Sequence, residues 1–120
     1  MQTRFTTSPT TIIRPNGHLN AANASEFGRE LAAAITAEPT ATVLVDMEEV
    51  ESLDSAGLMV LVSALTLSQG RNQRFSLCGI SASIRIIFEL TQLDRVFEIF
   101  ENQAAFEKAL AQASNHLAIA

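Results

Sequence analysis

Ser55 stands in the stretch Leu53-Asp54-Ser55-Ala56-Gly57-Leu58, between a β-branched run with its acidic loop and an apolar helical run. That order puts one hydroxyl at the exposed start of a helix otherwise built to be buried. A polar group there suits a covalent modification or a partner. It also suits simple capping, because a serine or aspartate at a helix start accepts from first-turn N–H groups. On that reading Asp54 or Ser55 is a cap and Gly57 lets helix and strand pack closely. A phosphate on Ser55 would be tolerated by the partial positive charge of a helix N-terminus. It would add a charge of about −1.5 to −2 beside Asp54, Glu51 and Glu49.

Other chemistries find fewer residues. A nucleophilic Ser55 would need a base, and the only histidines are His18, in a loop, and His116, near the C-terminal end. No G-x-S-x-G turn surrounds it. Cys78 is the single cysteine and lies in an apolar strand-like run, so it reads as core rather than nucleophile. No His/Cys/Asp cluster has metal-ligand spacing, and no glycine-rich phosphate loop is present. The expectation is therefore a protein that is not an enzyme and has no metal or cofactor. Asp46, at the end of a buried strand, superficially matches the phosphorylated aspartate of a receiver domain. A receiver needs Mg²⁺ held by further acids near its first strand and a lysine for the phosphoryl group. The first 25 residues contain no acid, and the only lysine, Lys108, lies in the last helix.

The 120 residues suit one domain, and 48% of them are apolar, which excludes a disordered tail. No apolar run approaches the ~20 residues of a membrane span, and Met1-Gln2-Thr3-Arg4 does not begin a signal peptide. The expected location is the cytoplasm. The net charge is −5, with seven scattered arginines, so nucleic acid is not an expected partner.

Residues 3–7 and 11–14 favour β structure around the turn Ser8-Pro9-Thr10, which suggests a hairpin at a sheet edge. From Asn23, the spacing of Phe27, Leu31 and Ile35 is helical, with Asn23 and Glu26 as a capping box and Pro39 as the stop. Val43-Leu44-Val45 is continuous and apolar, as in a central strand buried on both faces. The five acids between Asp46 and Asp54 read as a solvated loop. Leu58, Leu61, Val62 and Leu65 form the next helical face, with Gly70 as its C-cap. Phe75-Ser76-Leu77-Cys78 is a strand, Ile84 to Leu90 a helix begun by Ser81-Ala82-Ser83, and Val96-Phe97-Glu98-Ile99-Phe100 a last strand. A helix from Asn102 to about Ala113 follows, and residues 114–120 read as a frayed tail beyond a domain at 1–113. The order ββαβαβαβα implies an α/β domain with a mixed, mostly parallel sheet, an N-terminal edge hairpin and about four helices.

The chain resembles a STAS domain of the anti-sigma factor antagonist family. Gly17-His18-Leu19-Asn20-Ala21-Ala22-Asn23 is similar to that family's glycine-led loop before the first helix. The strand at 43–46 with Leu53-Asp54-Ser55-Ala56-Gly57-Leu58 is similar to its signature strand and D-S-x-G-L loop. Leu77-Cys78-Gly79-Ile80-Ser81, Ile87-Phe88-Glu89-Leu90-Thr91-Gln92-Leu93, the strand at 96–100 and the helix at 104–110 complete the pattern along almost the full length.

The resemblance implies that Ser55, directly after the aspartate, is the phosphorylated serine of a binding switch. It implies a partner surface at Asn20, Ala21, Ala22, Asp54, Ser55, Ala56, Gly57 and Leu58. The implied partners are an anti-sigma factor that is also a serine kinase and a PP2C-type phosphatase. A constitutive STAS scaffold or accessory subunit, as in a stressosome-like or lipid-transport complex, is the alternative. Four positions depart from the family: Asn20 stands for a frequent aspartate, Ala56 for a second hydroxyl, Ala82 for proline and Gln92 for glycine.

Overall fold

The structure, a computed structural model, describes the backbone at residues 9–119 and side chains through residue 112. The expected strand at 3–7, and with it the hairpin, lies outside the described residues. Strands β1 (Thr10–Ile13), β3 (Thr42–Asp46), β5 (Phe75–Cys78) and β6 (Glu98–Phe100) form the main sheet in the order β1-β3-β5-β6. Every neighbouring pair is parallel, with Thr11 opposite Val43, Val43 opposite Phe75 and Ser76 opposite Glu98. The α/β class, the mostly parallel sheet and the four helices are as the sequence indicates.

Parallel neighbours require crossovers, and α1 (Ala24–Ala37), α2 (Ser55–Gly70) and α3 (Ala82–Leu90) supply them. With the strands in the steady order β1-β3-β5-β6, crossovers of one hand place all three helices on one face. Phe27, Leu31 and Ile35 of α1, Leu61 and Leu65 of α2, and Ile84 and Phe88 of α3 meet Val43, Val45 and Leu77 there. On the opposite face α4 (Gln103–Ile119) sets Phe106 against Leu44 and Cys78. All five residues of β3 are buried because both faces are covered, which explains its unbroken apolar run. Arg74 holds this second layer: its guanidinium pairs with Glu98 through two 2.8 Å hydrogen bonds and lies 5.8 Å over the Phe106 ring.

Two short strands lie where the sequence reads as loop. β2 (Gly17–Leu19) and β4 (Val50–Leu53) pair in parallel as a separate two-stranded sheet. The acidic stretch is therefore part strand rather than wholly solvated loop. Other local differences concern element ends. Gly70 remains inside α2, and the chain turns instead at Asn72, whose φ is 54°. Asparagine tolerates this left-handed conformation because its short side chain bonds locally. Only Glu98–Phe100 of the expected last strand pairs, since Leu93–Arg95 coils into a 3₁₀ turn. Helix α4 continues past residue 113 to Ile119.

Candidate functional site

The small sheet explains why two loops, more than thirty residues apart, meet. Because β2 and β4 run parallel, both chains leave it at the same end. From Leu19 the chain enters the loop at 20–22, and from Leu53 it enters α2 through Asp54. The Asp54 N–H donates to Leu19 O at 3.0 Å as the strands part. Thus the structure brings the segments 20–22 and 54–58 together, with Gly57 and Leu58 buried rather than at the expected surface.

Asp54 is the hinge of this junction and the N-cap of α2. Its Oδ1 accepts from the Gly57 N–H at 3.0 Å, and its Oδ2 from the Ala21 N–H at 3.3 Å. Ser55 is thereby relieved of the capping role: it is the first helical residue, it is exposed, and its hydroxyl has no partner among the described residues. Gly57 is buried against the other loop. A Cβ there would lie 2.7 Å from Leu19 O and 2.8 Å from Leu53 Cδ1, so only glycine lets the helix start approach β2 this closely. Leu58 is buried under the site, Ala56 is half-buried, and Ala21 and Ala22 are exposed beside Ser55's turn.

The facing loop is held by its own asparagines. Asn20 Oδ1 accepts from the Ala22 N–H at 2.9 Å. Asn23 does not form the expected capping box, since its side chain makes no cap bond to α1. Instead its Oδ1 accepts from the Asn20 N–H at 3.0 Å and its Nδ2 donates to His18 O at 2.7 Å. Sequence reading missed this role because helix-capping and turn-closing asparagines have the same local signature. His18 Nδ1 lies 2.6 Å from Ser52 Oγ across the β2–β4 pair, so the histidine engages Ser52 rather than Ser55.

Electrostatically the site is acidic, with Glu49 and Glu51 exposed along the approach to Asp54. Asp46, the receiver-like aspartate, is buried and ion-paired with Arg14 at 3.3 Å. Its Oδ1 also accepts from the Glu48 N–H at 3.1 Å. Cys78 is fully buried; that burial, with the Asp46 carboxylate adding to it, pushes its thiol up to about 12. Such a thiol carries almost no thiolate near neutral pH. Among the described residues no group of three His, Cys, Asp or Glu side chains is gathered as a metal ligand set. Nor, among them, is any helix long and apolar enough to cross a membrane.

The site is thus an exposed hydroxyl at a helix start, unbonded among the described residues, with a second loop clamped beside it on a layered parallel α/β domain. The STAS domain model matches residues 2–105, and the chain belongs to that family. A Thermotoga maritima protein named "Putative anti-sigma factor antagonist" is 28% identical over 90 residues, covering 75% of this chain and 80% of the relative. The crystal structure of a putative anti-sigma factor antagonist from Thermotoga maritima superimposes with a TM-score of 0.74, at 24% identity, over 85% of this chain and 87% of that one. The anti-sigma factor antagonist SpoIIAA in its unphosphorylated form gives a TM-score of 0.65 at 19% identity, covering 93% and 96% of the two chains. At those identities the solved structures speak for the fold.

Proposed function

We propose that this chain is a cytoplasmic anti-sigma factor antagonist, a non-catalytic switch set by phosphorylation of Ser55. In the unphosphorylated state, the surface made by residues 20–22 and 54–56, supported from beneath by Gly57 and Leu58, binds an anti-sigma factor that is also a serine kinase. Binding sequesters the kinase and releases a sigma factor. The kinase transfers the γ-phosphoryl group of its ATP to the Ser55 hydroxyl, giving phosphoserine and ADP. The added negative charge, beside Asp54, then repels the kinase surface, and a PP2C-type phosphatase restores the binding form by hydrolysis.

The observation that carries this reading is the division of labour between Asp54 and Ser55. Asp54 does the capping, which leaves Ser55 with an exposed hydroxyl that bonds to nothing among the described residues. The name of the Thermotoga relative supports the partner class. A helix N-terminus receives the new phosphate without local unfolding.

The test is co-expression with candidate kinases, followed by intact-mass measurement and partner capture. Wild type should gain a phosphate-sized mass that Ser55→Ala does not gain. Ser55→Asp should capture the partner more weakly than Ser55→Ala. Equal capture by all three would instead favour a constitutive scaffold.

A further inference from the structure

The 16 residues of α2 include no charged side chain. Its exposed side is a mixture of uncharged polar residues, Ser63, Thr66 and Gln69, and large apolar ones, where a solvated helix face ordinarily carries charges. Leu58, Leu61, Ala64 and Leu65 face the core, whereas Met59 is 56% exposed and Leu67 36% exposed on the outer side. Ser63, also exposed, sits midway between them at four-residue spacing, on the same face. With Gly28 and Ala32 of α1, these residues line a shallow groove of about 300 Å³.

We propose that this face docks a second copy of the chain, α2 against α2, across a two-fold axis at Ser63. A two-fold contact must be self-complementary, and the spacing about Ser63 is. An antiparallel pair centred there sets Met59 of each copy against Leu67 of the other, while Gly28, Ala32 and Ala56 leave the space those side chains need. The charges agree. Position 55 comes opposite position 71, so exposed Arg71, just past the C-terminal end of one α2, meets the Asp54 end of the other. The helix dipoles also oppose favourably in this arrangement. A two-helix face about 24 Å long covers roughly 500 Å² per copy, so the total sits at the low end for specific interfaces. The dimer is accordingly weak and concentration-dependent. A phosphate on Ser55 would face Arg71 of the other copy and strengthen this contact, so the dimer is tested on the unphosphorylated chain.

Sedimentation equilibrium of the full chain, extended into the millimolar range, tests this. Wild type should show a concentration-dependent dimer, Ser63→Arg should be monomeric, and Arg71→Glu should raise the dissociation constant about tenfold. Oxidised Ser63→Cys should form a disulfide-linked dimer, because the axis brings the two copies of that residue together. Ser83→Cys, on exposed α3, should not, and buried Cys78 stays silent in both. The cysteine arm stands even if Ser63→Arg fails to fold. A wild type monomeric throughout, or equal crosslinking through Ser63→Cys and Ser83→Cys, overturns the proposal.

Discussion

The carboxylate of Asp54 accepts the N–H of Ala21 at 3.3 Å, joining two loops separated by 33 positions in sequence. Its other oxygen caps α2 through Gly57. Two simultaneous acceptances explain an aspartate here, since asparagine offers one acceptor oxygen. Asp54→Asn should keep the cap and lose the tie to Ala21, whereas Asp54→Ala should lose both, costing about 1 kcal/mol for the cap alone. Urea denaturation should rank wild type above Asp54→Asn above Asp54→Ala. Equal stability of the two variants would mean that the cap contributes nothing.

Ser55, one residue further on, should behave in the opposite way. With the cap supplied by Asp54 and no hydrogen bond to its own hydroxyl among the described residues, Ser55→Ala should change stability by less than about 0.5 kcal/mol. The same denaturation series reads this directly. A larger loss would return Ser55 to a capping role and weaken the case for a free acceptor.

Gly57→Ala places a methyl group against a backbone oxygen, Leu19 O, at 2.7 Å. That oxygen cannot yield without breaking its bond from the Asp54 N–H. Overpacking of this kind costs about 1–3 kcal/mol. Because the strain falls between the two loops, partner capture should drop further than the change in midpoint explains.

How far the site could be read from sequence depends on which strands carry it. β3 was legible because both faces are covered and every residue must be apolar. β2 and β4 were not, although they set the geometry. Val50-Glu51-Ser52-Leu53 buries its ends and exposes its middle, so it lacks the alternation of a half-buried strand. Gly17-His18-Leu19 is only three residues long, with a register shift after Gly17. Strands this short are stabilised by their pairing, which no local pattern records. The proximity of the loop at 20–22 to Asp54 was accessible through the family resemblance alone.

Cys78 makes a pH prediction with a definite sign. Unfolded, its thiol ionises near pH ~8.5; folded, burial holds the proton until about 12. Between those values the unfolded chain binds fewer protons, so stability falls as pH rises, by about 1.4 kcal/mol per unit. Below that window the contribution is fully present. Cys78→Ala should lower stability at neutral pH through the lost packing but flatten this alkaline slope. Urea midpoints measured from pH 7 to about 10.5 separate the two effects.

The departures at Ala82 and Gln92 should be reversible for a gain. Ala82 opens α3, where a missing N–H costs nothing because first-turn donors have no helical partner. The residue before it, Ser81, already has φ −72° and ψ 166°, the extended conformation that a following proline demands. Ala82→Pro should therefore stabilise by about 0.4–1 kcal/mol, chiefly by restricting the unfolded chain. At the other end of the helix, Gln92 holds φ at 62°, which costs a residue with a Cβ about 1–2 kcal/mol. Glycine removes that strain but carries about 0.5–1 kcal/mol of extra chain entropy, so Gln92→Gly should gain a few tenths to 1 kcal/mol. The two sites flank α3 at opposite ends and share no partner, so their effects should add. A double variant melting several degrees above wild type is expected. A lower melting temperature for Ala82→Pro would mean that the Ala82 N–H has a partner in solution.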